Sequence, residues 1–120
     1  MLFISVDDFF EKVKHINKLS RSEEVEYARK MQDGDTDARD RIIENYLPYV
    51  ASSVKHLRSK FLTLELILRC CVSLEKAVDS FDFLQDSERF PHRLNWWLRQ
   101  TITRYIAEDR SFPPDGTSCN

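Results

Sequence analysis

Two glycines and four prolines are the only residues in this 120-residue chain that force or permit an abrupt change of backbone direction. Six such residues is far below ordinary usage. Two-residue hairpin turns need positive φ, and phosphate-cradling loops need glycine for close backbone approach. Sheets with tight hairpins, glycine-rich nucleotide loops and collagen-like repeats are therefore disfavoured together. What remains is an all-α fold. The length sets one domain, long enough to bury a single core.

Helix signals divide the chain into about five helices. Ser5 is placed to cap a first helix running to about Asn17, with Asp7 and Asp8 in its first turn. Its apolar positions Val6, Phe9, Phe10, Val13 and Ile16 recur at helical spacing. Ser20 followed three residues later by Glu23 is a capping box for a second helix, which Gly34 ends. Asp35 or Thr36 caps a third, expected to run to about Lys60 with Pro48 inside it. An interior proline costs about 3 kcal/mol or a kink. Thr63 opens a fourth helix, with Leu64, Ile67, Cys71, Leu74, Val78 and Phe81 three or four apart. Residues 82–89 read as a polar loop, and Pro91 starts a fifth helix to about Arg110. Residues 1–110 are expected to form the helical domain. Residues 111–120, with Phe-Pro-Pro-Asp-Gly, read as a disordered tail.

Several function classes find no residues to support them. The apolar start of the chain is too short for a signal peptide and has no basic lead-in. The stretch from Leu62 to Leu74 is too short to span a bilayer and contains Glu65 and Arg69. Adjacent Cys70 and Cys71 do not match metal-ligand spacing, and read as small apolar residues. His15, His56 and His92 are too scattered to be ligands. No Ser/His/Asp set or carboxylate pair stands out. A non-enzymatic, cytoplasmic protein with reduced thiols, no cofactor and no metal is expected.

The charges are unevenly distributed. The total is 18 basic against 20 acidic residues, yet residues 89–104 hold four arginines and no acid. On a helical wheel of this segment, Leu94, Leu98, Thr101, Ile102 and Tyr105 share one side and form an apolar stripe. Arg93, Trp96, Trp97, Gln100, Thr103 and Arg104 share the other, with His92 and Arg99 at its margin. Arginine matches phosphate geometry, indoles stack on unpaired bases, and glutamine presents a donor and an acceptor to a base edge. Such a face suits separated nucleic-acid strands. It also suits a protein interface, and a third reading packs both indoles under the preceding helices with the arginines merely solvated.

Four runs of sequence carry a resemblance. They are Leu19-Ser-Arg-Ser-Glu-Glu-Val-Glu-Tyr-Ala-Arg-Lys-Met-Gln-Asp-Gly-Asp, Ala38-Arg-Asp-Arg-Ile-Ile-Glu-Asn, Glu75-Lys-Ala-Val-Asp-Ser-Phe-Asp and Trp96-Trp-Leu-Arg-Gln-Thr-Ile-Thr-Arg-Tyr-Ile-Ala. Over about residues 5–110 the chain resembles the sigma-70 family of bacterial RNA polymerase initiation factors, regions 1.2 through 2.4. The resemblance implies a compact helical domain with two partners. One is a coiled coil of the largest core polymerase subunit. The other is promoter DNA, whose non-template strand at the minus-ten element is captured as the duplex opens. Matched position by position, Trp96 and Trp97 correspond to an indole wedge at the upstream edge of the bubble. Gln100 and Thr103 correspond to a pair reading the first minus-ten base pair, and Arg99 and Arg104 to basic positions beside them. Val50 agrees with the family's residue near the strand. Leu64, Glu65, Leu68 and Arg69 fall on the polymerase-docking helix.

The sequence also departs from the family pattern. Arg93 stands where the family places the tyrosine that stacks on the flipped adenine; a guanidinium plane can stack there too. Tyr46 and Pro48 replace an asparagine and an arginine. Leu68 and Arg69 replace a glutamine and a glutamate, which reverses one charge at the docking surface. No stretch of these residues resembles the family's later helix-turn-helix domain. The expected function is that of a short or divergent sigma factor. Two alternatives are one subunit of a split sigma factor, and a degenerate sigma-like regulator that binds protein and not promoter DNA. A second sigma subunit or an anti-sigma factor would be further partners; a membrane would not.

Overall fold

The computed structural model describes residues 2–85 and 89–108. Among them are six helices and no strand: α1 (Val6–Val13), α2 (Arg21–Gln32), α3 (Thr36–Asn45), α4 (Leu47–Val54), α5 (Leu64–Ser80) and α6 (Phe90–Ala107). The all-α expectation holds. The proposed tail at 111–120 lies outside the described residues, as do positions 86–88 of the polar loop.

The helix starts follow the cap chemistry read from the sequence. The Ser5 hydroxyl accepts from the Asp8 N–H at 3.0 Å, and Asp8 accepts from the Ile4 N–H at 3.0 Å. Ser20 and Glu23 form the full reciprocal box. Asp35 caps α3 through the Ala38 N–H, and Thr63 caps α5 through the Leu66 N–H. Gly34 has φ +94°, which a side chain disfavours. Its N–H donates to Met31 O, and the next N–H, of Asp35, donates to Lys30 O. These two bonds close α2 in a Schellman motif.

The long third helix is a correction. It is two helices, broken at Tyr46, and the second ends at Val54 instead of near Lys60. Pro48 sits in the first turn of α4, where no intrahelical donor is needed. The proline therefore does not kink a helix; it starts one. α1 likewise ends at Val13, short of Asn17.

One core joins all the helices. Its largest fully buried side chains are Phe9, Ile42, Val50, Val54, Leu66, Ile67, Cys70, Leu74, Val78, Leu94 and Leu98. α5 is its centre and α6 its principal partner, while α2 packs on α3. Buried Asn45 accepts from the Leu19 N–H at 2.8 Å, which ties the α1–α2 link to α3. Arg39 and Asp79 form a two-pronged ion pair, 2.7 and 2.9 Å, between α3 and α5. Burial pushes the Cys70 thiol up to about 12 and Cys71 up to about 11, so both stay protonated near neutral pH. No helix among the described residues is long and apolar enough to cross a membrane.

Candidate nucleic-acid interface

α6 is held at a fixed roll on α5 by three polar clamps in its C-terminal part. The Tyr105 and Thr63 hydroxyls are 2.6 Å apart. Thr101 and Ser73 are hydrogen-bonded through their hydroxyls. Glu108 accepts from Arg69 at 3.0 Å, and the same guanidinium lies over the Tyr105 ring. At the start of α6, Phe90 packs edge-on against Tyr46 and Phe81 and tilted against Phe83, with centroids 4.6 to 5.2 Å apart. With both ends pinned and Leu94 and Leu98 buried, the opposite face of the helix points outward by geometry.

That outward face lines an open groove of about 680 Å³. Arg93, Trp96, Trp97, Arg99, Gln100 and Thr103 all line it, so six of the seven α6 positions singled out from the sequence are brought together. The seventh, Arg104, is exposed on the same helix outside the groove. Ser80, His92 and Asn95 complete the lining. His92 was at the margin of the wheel. Asn95 gave no signal, and Ser80 arrives only because the end of α5 packs beside α6.

The two indoles have different roles. Trp96 is 55% exposed, whereas Trp97 is partly buried and packs against the core. Their rings meet edge to face, 5.5 Å between centroids and 87° between planes. Trp97 therefore braces Trp96 and leaves one large ring free to stack. Arg93 is half-buried, its guanidinium over the Phe81 ring at 5.8 Å. Arg99 and Arg104 are exposed and make no ion pair among the described residues. The result is an aromatic platform flanked by cationic forks, the elements a single strand requires.

Val50 does not belong to this surface. It is 0% exposed, one of Leu47, Val50, Ala51 and Val54 that recur at i, i+3, i+4 and i+7 and turn into the core. No base or phosphate can reach its side chain in this fold.

The residues that the resemblance assigns to polymerase docking lie elsewhere, on the first half of α5. Leu64 is half-buried against the core and Glu65 is exposed. Leu68 is 46% exposed, and Val72, one turn on, is 49% exposed. Sequence reading missed Val72, although its i+4 spacing from Leu68 was the available signal. Arg69 is engaged by two acids, Glu65 at 2.7 Å and Glu108 at 3.0 Å. Its charge is matched internally, and the face it borders is apolar.

The chain is similar to known proteins along most of its length. The family model for sigma-70 factor, region 1.2, matches residues 5–37. The RNA polymerase sigma factor SigA of Clostridium acetobutylicum is 34% identical over 110 residues, 88% of this chain and 29% of that protein. The SigA proteins of Listeria monocytogenes and Listeria innocua are each 34% identical over 101 residues, 83% of this chain and 27% of theirs. The chain thus spans less than a third of the length of the curated relatives it matches. A region 1.2 sequence over α1, α2 and the start of α3, followed by similarity continuing over most of the remaining chain, places this protein in the sigma-70 family of RNA polymerase sigma factors.

Proposed function

We propose that this chain is a cytoplasmic, sigma-70-like transcription initiation factor that engages core RNA polymerase and the minus-ten promoter strand. The outer face of α6 would take the DNA. The observation that carries this reading is exposed Trp96, braced by Trp97, in a groove with Arg93, Arg99, Gln100 and Thr103 and no acid in the surrounding sequence. Indole stacking contributes about 1–3 kcal/mol per base, and each phosphate contact adds a salt-sensitive share. Leu64, Glu65, Leu68 and Arg69 on α5 would meet the polymerase coiled coil.

The test is a titration of the chain with a single-stranded minus-ten oligonucleotide. Binding is expected to weaken as salt rises and to fall about tenfold or more for Trp96→Ala. Affinity indifferent to both salt and Trp96 refutes the reading. A second reading, a sigma-like adaptor that binds protein only, has its own support in the apolar Leu68–Val72 face and the internally paired Arg69. A pull-down of core polymerase separates the two: capture of polymerase without any oligonucleotide binding favours the adaptor.

A further inference from the structure

We infer that the connection between α4 and α5 is a second phosphate-binding surface, which holds duplex DNA beside the strand taken by α6; the placement of the duplex rests on the reading of the α6 groove as a strand site. The chain has 20 acidic residues in 120, yet none falls between Glu44 and Glu65. Inside that gap lie Lys55, His56, Arg58 and Lys60, all exposed. Lys60 is engaged over the Phe61 ring, 4.9 Å from the centroid. Lys55 and Arg58 make no ion pair among the described residues. A cation at a helix C-terminus is favoured by the helix dipole, which accounts for Lys55 at the end of α4 and not for Arg58. The connection itself is anchored. Leu57 and Leu62 pack against the core, and Phe61 is buried. The Arg58 carbonyl accepts from the Phe61 and Leu62 N–H groups at 2.9 and 3.1 Å, which closes a turn between these anchors. The backbone that carries the cations is therefore ordered before any ligand arrives.

The surface chemistry points to phosphate on a paired strand. Phosphate attracts cations whatever the base, and its neutralisation releases counterions. Stacking on an unpaired base needs an exposed ring. From Lys55 to Thr63 there is no tryptophan or tyrosine, and the one phenylalanine, Phe61, is buried. Cations without exposed rings of this kind suit a duplex, whose bases stack on each other. Position supplies the link to α6. Thr63, at the end of the connection, has its hydroxyl 2.6 Å from that of Tyr105, the residue after exposed Arg104. The connection thus meets α6 at its C-terminal end, beside Arg104 and away from Arg93. A duplex carries one charge per about 1.7 Å of its axis, dense enough to meet cations from both elements.

The experiment uses the full chain and the fluorescence anisotropy of labelled DNA. The probes are the single-stranded minus-ten oligonucleotide and the same strand extended by a short duplex at one end or the other. One of the two extended probes is expected to bind about tenfold more tightly than the strand alone. Lys55→Ser combined with Arg58→Ser is expected to remove that gain, lower the salt slope on the extended probe by about 2, and leave binding of the strand alone unaffected. Both side chains are exposed, so the melting temperature is expected to stay with that of the parent. No gain from either duplex, or a gain that survives the double substitution, overturns the second surface while Trp96-dependent strand binding still stands. An extended probe bound through Lys55 and Arg58, by a chain that takes no single strand, supports the surface and overturns the groove reading instead. A double substitution that lowers capture of core polymerase and leaves every DNA probe unaffected assigns the surface to a protein and overturns the inference.

Discussion

Trp96 and Trp97 are neighbours in sequence with opposite tasks. On a helical wheel both fall on the polar side, and a wheel divides a helix into halves. The structure divides it differently. Trp97 lies near the seam, and the bulk of its indole lets it reach the core from there. Two substitutions separate the roles. Trp97→Ala is expected to lower stability by about 2 kcal/mol, since a large, partly buried ring is lost. Trp96→Ala is expected to stay within about 0.5 kcal/mol of the parent while losing strand binding. Urea unfolding of both variants checks this. Val50 shows the converse. Its place near a DNA strand came from family alignment, yet its own spacing with Leu47, Ala51 and Val54 marks it as core. Periodicity within the chain was the better guide at that residue.

At the scale of elements, caps were legible and the α3–α4 boundary was not. Ser5, Ser20, Asp35 and Thr63 each act through a hydrogen bond to a residue three positions on, so a short window of sequence contains the whole cause. Pro48 was identified as the disturbance, but the break falls at Tyr46. Tyr46 turns because its ring packs on Phe90 and its hydroxyl donates to Glu24, contacts 44 and 22 residues away in the chain. Partial burial, with a carboxylate beside the phenol, raises its pKa, which keeps the donor protonated. Pro48→Ala is therefore expected to leave stability unchanged or lower it by up to about 1 kcal/mol. A proline interrupting a continuous helix would instead give a gain near 3 kcal/mol on replacement. Thermal unfolding followed by circular dichroism distinguishes the two.

The α3–α5 tie makes a pH-dependent contribution. The Arg39 guanidinium holds the Asp79 carboxyl below its ordinary value of 3.8. Folding thus favours the ionised form. The contribution is complete above the ordinary value and is lost as pH falls through the depressed one. Asp79 is more than half exposed, so the effect is expected to be below about 1 kcal/mol. Asp79→Asn should show a smaller loss of stability between pH 5 and about 3 than the parent in acid titrations of the melting temperature. On α5, Leu68→Asp places a charge on an already exposed position. It is expected to leave folding intact and to reduce capture of core polymerase by tenfold or more; unchanged capture would move the docking surface elsewhere.

Across the whole molecule, the near-balanced total charge conceals its distribution. The acid-free stretch lies on one helix, and the packing of α6 on α5 turns its cations outward around a single exposed indole. Most of this surface could be read from one segment, because a helix fixes the relation between residues three and four apart. Ser80 and the Phe81 support for Arg93 could not, because they depend on how α5 ends beside α6. The internal pairing of Arg69 with Glu108 was hidden for the same reason, since the two lie 39 residues apart. The claim that matters most is that one face of α6 receives a single strand on Trp96. With two tryptophans in the chain, a nitrogen-15 spectrum holds two indole N–H signals, which the single-residue variants assign. Adding minus-ten oligonucleotide at low salt is expected to move the Trp96 signal saturably, the Trp97 signal less, and to lose both shifts at high salt. An oligonucleotide that binds while the Trp96 signal stays in place would contradict the account.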